Sequence, residues 1–168
     1  RKYLRYPVLA EGAEYLAMGY FMRRNILTYK APALNEGYDL IAIHPDPRHR
    51  SKRAQLRIQV KSRYATDASG VPVKVESLDA FDFLVIVFQN IGKFFSGRDG
   101  STGSQPPDLY VLPNGIVRKR ITSSGWKGTG KIEIRRLPGI EQYKNDLGIE
   151  RVAAALGVEP MKRLAKED

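Results

Sequence analysis

The sequence predicts an α/β domain, a mixed β-sheet flanked by helices, and three observations carry that prediction. A helical pattern opens the chain at residues 8 to 22, VLAEGAEYLAMGYFM. Three strand-like stretches follow it in turn, ILTYKA, YDLIAIH and QLRIQVKSR. Next comes FDFLVIVFQ, a nearly continuous apolar run that reads as a strand buried on both faces. Helix and strands interleaved along the chain call for a sheet covered by helices.

Each element has a local reason. Pro7 stands at the first turn of the opening helix, where a missing N–H costs nothing. The strand ILTYKA stops before Pro32. HPDPRHRSKR, with two prolines, suits an exposed hairpin connection. Residues 65 to 72 read as loop, and 73 to 80 fit no single period. GRDGSTGSQPP, residues 97 to 107, is a flexible loop by composition and too short to divide the chain. DLYVL is a fifth strand, and KIEIRR, residues 131 to 136, alternates like a sixth. Two short helical segments, GIEQYKND and IERVAAAL, close the pattern. There is no internal repeat. A length of 168 residues fits one domain, 1–168. Its core is expected in 8–90, and the basic part, 91–168, is expected to serve substrate contacts or oligomerisation.

Composition narrows the function. No apolar run approaches the ~18 residues of a membrane span, so no membrane is expected. The start, Arg1-Lys2-Tyr3, has neither initiator methionine nor signal-peptide pattern and reads as trimmed or partly disordered. Cysteine is absent, which excludes disulfides and thiolate metal sites and fits a reducing, cytoplasmic setting. Lys and Arg number 28 against 18 Asp and Glu, a net charge of +10 that favours a polyanionic partner, nucleic acid before membrane. The charge is clustered. Arg48, Arg50, Lys52, Arg53, Arg57, Lys61 and Arg63 form one run without an acid. Arg118, Lys119, Arg120, Lys127, Lys131, Arg135 and Arg136 form another, interrupted only by Glu133. Binding through such clusters falls steeply with salt.

The chemistry centres on LRIQVKSR. Alternation places Leu56, Ile58 and Val60 on one face and Arg57, Gln59, Lys61 and Arg63 on the other. Asp39 opens the preceding strand on the face of Ile41 and Ile43, where a carboxylate is costly unless something pairs with it. A hairpin over His44 to Ala54 would set Asp39 beside Gln59 and Lys61, and Gly37 permits a tight approach just before it. On the helical wheel Ala10, Ala13, Leu16, Ala17, Tyr20 and Phe21 make a broad apolar face. Glu14 falls inside that arc and Glu11 at its edge. An inward glutamate either reaches water at the rim or is held to bind a metal or a cationic group.

Taken together, Glu14, Gly37-Tyr38-Asp39 and Gln59-Val60-Lys61 resemble the PD-(D/E)XK nuclease superfamily, the restriction-endonuclease-like fold, over residues 8 to 90. The order helix, strand, Asp-strand, hairpin, X-K strand, buried strand strengthens the likeness. YDLIAI…IQVKS is similar to members with glutamine in the (D/E)XK position, among them small homing endonucleases and resolvase-like enzymes. Two departures are Gly-Tyr-Asp in place of Pro-Asp, and Gln59, which removes one negative charge. The resemblance implies a metal-dependent DNA endonuclease using Mg²⁺, with Mn²⁺ as a substitute. Asp39 and Glu14 would be carboxylate ligands, and Gln59 and the Val60 carbonyl would supply oxygens. Lys61 would position or deprotonate water or stabilise the pentavalent phosphorus. Arg57 and Arg63 would flank the site as phosphate contacts, with Arg48, Arg50, Lys52, Arg53, Arg118, Lys119, Lys127 and Lys131 beyond them. Cutting both strands implies a homo-oligomer, dimer or tetramer.

Rival readings remain. Gln59 also suits a DNA-binding module that kept the fold and lost catalysis, and an RNA-binding or assembly protein is a third reading. The match of residues 125–131 to GxxxxGK lacks the following Ser or Thr and leads into a strand, so it reads as a basic hairpin. His44 and His49 lack a third ligand and read as exposed. Asp79 and Asp82 read as turn caps before they read as site carboxylates. Trp126 is expected in packing, with base stacking as its alternative.

Overall fold

The computed structural model describes residues 7–50, 55–64, 70–91 and 105–160. Helix α1 (Pro7–Arg23) is followed by strands β1 (Leu27–Lys30), β2 (Leu40–Ile43), β3 (Gln55–Arg63), β4 (Val71–Lys74), β5 (Phe83–Phe88) and β6 (Asp108–Pro113). Helix α2 (Asn114–Arg120), strands β7 (Thr122–Ser123) and β8 (Thr129–Ile132) and helix α3 (Asn145–Leu156) complete it. Single 3-10 turns occupy Val75–Asp79, Ile134–Arg136 and Ile140–Tyr143.

The main sheet runs β1-β2-β3-β5-β6, parallel only between β3 and β5. One face packs under α1 and α3 through Leu40, Ala42, Leu56, Ile58, Val85 and Val87. The other carries Leu84, Ile86, Phe88 and Leu112 against a small sheet, β4-β8-β7, and α2. This explains why all six residues of β5 are buried. Both helices under the sheet end alike. At Asn25 and Gly157 the backbone turns left-handed, φ 63° and 73°, and the next N–H returns to Phe21 and Ala153 respectively. The residues that follow, Ile26 and Val158, are buried, as this cap requires.

Several expectations shift. The apolar face of α1 is narrower than the wheel implies: Ala13, Ala17 and Phe21 are buried, whereas Ala10 and Leu16 are exposed. The buried row at i, i+4, i+8 carries two alanines, which let the helix lie close with one row in contact. Residues 71–74, expected as loop or without period, form β4, and 75–79 form a 3-10 turn. The sixth-strand alternation of KIEIRR is real, since Ile132 and Ile134 are both buried. Pairing nevertheless stops at Ile132, because its partner Val71 is the first residue of β4. Helix α2 went unforeseen; with seven residues and only Val117 buried, it is too short to show a period. GIEQYKND yields a 3-10 turn, and α3 begins at Asn145.

Candidate active site

β3 runs past the end of β2. Leu40 pairs with Ile58, so the extended register sets Asp39 opposite Gln59. The Asp39 N–H donates to the Ile58 carbonyl at 2.8 Å, and Asp39 Oδ2 accepts the Val60 N–H at 2.7 Å. A carboxylate thus continues the ladder where the β2 backbone stops, which answers how that side chain is satisfied on its face. Gly37 delivers the chain to this point with φ 85°, and a Cβ there would overlap the Ala80 methyl. That close approach draws the turn onto the segment that follows β4.

Asp39, Gln59 and Lys61 line one cleft of about 480 Å³. Its opposite wall is Lys74, Glu76, Ser77 and Ala80. Gln59 is buried, and its Oε1 has no hydrogen-bond partner among the described residues. An amide oxygen left so costs desolvation that no described residue offsets. Burial pushes the Lys61 ammonium below its ordinary pKa; the Asp39 carboxylate opposes that shift and Lys74 adds to it.

Glu14 lines an adjoining cleft of about 300 Å³, which shares Asp39 but neither Gln59 nor Lys61. Its carboxylate lies 3.1 Å from Lys30 Nζ, and the same ammonium also pairs with Glu11 and sits 4.4 Å from the Tyr15 ring centroid. The inward glutamate pairs with a cation of the fold itself, Lys30, and also faces the cleft it lines. Burial raises the Glu14 carboxyl pKa, the Lys30 hydrogen bond lowers it, and the Asp39 charge raises it again. Lys30 itself is pushed up, chiefly by its hydrogen bond to Glu11.

The expected phosphate contacts divide. Arg57 is tied to Asp82, whose Oδ2 accepts the Arg57 N–H at 2.8 Å and lies 3.8 Å from the guanidinium. Arg63 is half-buried and donates from Nη2 to the Gly70 carbonyl at 2.5 Å. Arg48 pairs with Asp46, Arg118 with Asp79, and Lys131 with Glu133. Arg50, Lys119 and Lys127 are exposed. Lys52 and Arg53 lie outside the described residues. Asp79 and Asp82 are accounted for by these arginines. His44 and His49 stack on each other with centroids 3.7 Å apart. The glycine-rich basic stretch forms the β7–β8 hairpin as expected. Trp126 does not pack: it is 80% exposed. Lys74 and the Glu76-Ser77 wall were missed, although the alternation Val71, Val73 buried and Pro72, Lys74 exposed is visible in VPVK.

Among the described residues, no three His, Cys, Asp or Glu side chains gather to hold a metal ion. The oxygen donors of the cleft include the Asp39 carboxylate and the unpartnered Gln59 Oε1, and the Glu36 and Glu76 carboxylates also stand on its lining. Such a set fits a hard divalent cation that keeps several of its waters. No described helix is long and apolar enough to cross a membrane.

No family model matches the chain, and no curated protein matches it by sequence. Among solved structures, a Holliday junction resolvase from Archaeoglobus fulgidus superposes with a TM-score of 0.50 at 9% identity, covering 91% of this chain and 99% of that one. A bacterial homing endonuclease gives a TM-score of 0.48 at 15% identity, covering 92% and 99%. The resolvase likeness shows the fold alone: a mixed five-stranded sheet flanked by helices.

Proposed function

We propose that this protein is a metal-dependent DNA endonuclease of the PD-(D/E)XK type, with Gln59 in the acidic position. The observation that carries the reading is the meeting of Asp39, Lys61 and the buried, unpartnered Gln59 Oε1 in one cleft of a chain with net charge +10. A bound Mg²⁺, or Mn²⁺, would supply water activation and neutralise charge on the phosphoryl oxygens. Asp39, Gln59 Oε1 and the Val60 carbonyl would hold it. Asp39 is held for this by the Val60 N–H, which anchors its Oδ2. Glu14 acts through the adjoining cleft, where Lys30 holds it beside Asp39.

Lys61, with its pKa lowered by burial, serves the attacking water or the developing charge at phosphorus. The exposed Arg50, Lys119 and Lys127 track the DNA backbone, and binding should weaken steeply with salt. The chain acts as one domain, 1–168, with 91–168 supplying substrate and oligomer contacts. Two or four copies would be needed to cut both strands, in a reducing, cytoplasmic setting.

The second reading, a DNA-binding module without catalysis, is favoured by Gln59 itself, which puts a neutral amide where the (D/E)XK pattern has a carboxylate. A cleavage assay on plasmid and branched DNA with Mg²⁺ or Mn²⁺ decides between them. Cutting by the native chain, abolished in Asp39→Ala and Lys61→Ala, supports the nuclease. Salt-sensitive binding that yields no cut product with any of these DNAs selects the module.

A further inference from the structure

The only tryptophan of the chain stands in water. A large indole ring is normally drawn into a core, and at 80% exposure Trp126 contributes little to this one. Its backbone, in contrast, is firmly held. Ser124 Oγ donates to the Thr129 carbonyl at 2.5 Å and accepts the Trp126 N–H at 3.2 Å. The Thr129 N–H returns to the Trp126 carbonyl at 3.1 Å, and Gly125 and Gly128, φ 80° and 74°, permit the tight reversal. A fourth hydrogen bond ties the turn to the segment that lines the candidate site: the Val75 N–H donates to the Gly128 carbonyl at 3.0 Å. Its neighbour Lys74 pairs in register with Thr129 and also lines the cleft of Asp39, Gln59 and Lys61.

The sequence around it is basic. Lys127, the next residue, is exposed, and Lys119 and Arg120 are exposed at the end of α2, just before β7. An exposed indole on a basic turn that is hydrogen-bonded to the segment lining the cleft matches a polyanion whose units carry flat aromatic faces. Within a continuous duplex each base is covered above and below by its neighbours, so the indole can reach a base only where one lies outside the stack.

We propose that Trp126 is a stacking platform for an unpaired base, and that the preferred substrate is therefore DNA carrying unpaired bases rather than uninterrupted duplex. This rests on the nucleic-acid reading of the cleft of Asp39, Gln59 and Lys61. The test uses the full chain and its single tryptophan as the probe. Indole emission is titrated with a short single-stranded oligonucleotide and, separately, with a long fully paired duplex, while binding is followed independently by anisotropy of a dye on the DNA.

Emission should be quenched by the single strand and hardly by the duplex. Trp126→Ala should weaken single-strand binding roughly ten-fold and leave duplex binding unchanged, with Trp126→Phe in between. Binding of the single strand with silent indole emission would overturn the stacking proposal and leave the nuclease reading standing. Equal losses on both DNAs in Trp126→Ala would also overturn it. So would a change in oligomeric state by light scattering in that variant, which would assign the ring to a self-contact. Failure to bind either DNA at low salt would overturn both readings together.

Discussion

Asp39 has two duties in this structure, and they can be separated by substitution. Its Oδ2 accepts the N–H of Val60, a buried residue of β3, at 2.7 Å. Asp39→Ala strands that N–H. An unsatisfied buried donor costs about 1–3 kcal/mol, and for a chain of this length each kcal/mol moves the thermal midpoint by about 2–4 °C. Asp39→Ala should therefore melt roughly 2–12 °C below the native chain.

Asp39→Asn keeps an oxygen in the same place and removes only the charge, so it should lose less than about 1 kcal/mol. The charge also matters to its neighbours, because Asp39 helps raise the Glu14 pKa and opposes the depression of Lys61. Thermal melts with and without Mg²⁺ or Mn²⁺ make the comparison. A cation held by the native cleft raises its midpoint by mass action, and that increment should vanish in Asp39→Asn while the metal-free midpoint barely moves. Cleavage should be lost in both variants. An Asp39→Ala chain that melts with the native one would refute the structural duty, and an Asp39→Asn chain that still gains stability from the cation and cuts DNA would refute the chemical one.

Three further outcomes follow from the same geometry. Gly37→Ala meets both a left-handed φ of 85° and overlap with Ala80; it should lose about 2–5 kcal/mol in urea unfolding, and adding Ala80→Gly should restore only the overlap part. Leu34 is fully exposed with φ 66°, whereas the other non-glycine residues with positive φ among those described are asparagines. Leu34→Gly should gain about 0.5–1 kcal/mol in the same assay, and a loss would mean that the leucine makes contacts that hold the turn.

Lys61 gives a pH signature. Burial sets its folded-state pKa below the unfolded value, so between the two the unfolded chain binds more protons and stability rises with pH. In Lys61→Met that alkaline rise should flatten, with stability at neutral pH equal to the native chain or above it. A profile that keeps the rise would assign it to another group.

Much of the fold was legible in the order of residues, and the reason is periodicity. Alternation is a local property of an extended chain, so the assignment of Leu56, Ile58 and Val60 to one face and Gln59 and Lys61 to the other needed no partner strand. The unbroken run of β5 announced a strand covered on both sides, and the helix pattern of residues 8 to 22 lies within α1 at 7–23. Asp39 at the mouth of its strand was likewise visible, because a hairpin between neighbouring strands leaves little freedom of register.

What remained was a matter of who meets whom across long separations in sequence. Nothing in the amphipathic pattern of α1 names Lys30 as the cation that Glu14 holds, or β4 and the 75–79 turn as the far wall of the cleft. Arg57, Arg63 and Arg118 look like exposed cations in sequence, yet each is engaged with the fold: Arg57 with Asp82, Arg63 with the Gly70 carbonyl and Arg118 with Asp79. The emergence of Trp126 into water also depends on how the small sheet packs. Composition and period determine which face each side chain presents; only the packed structure decides which of those faces are covered, and by which charges.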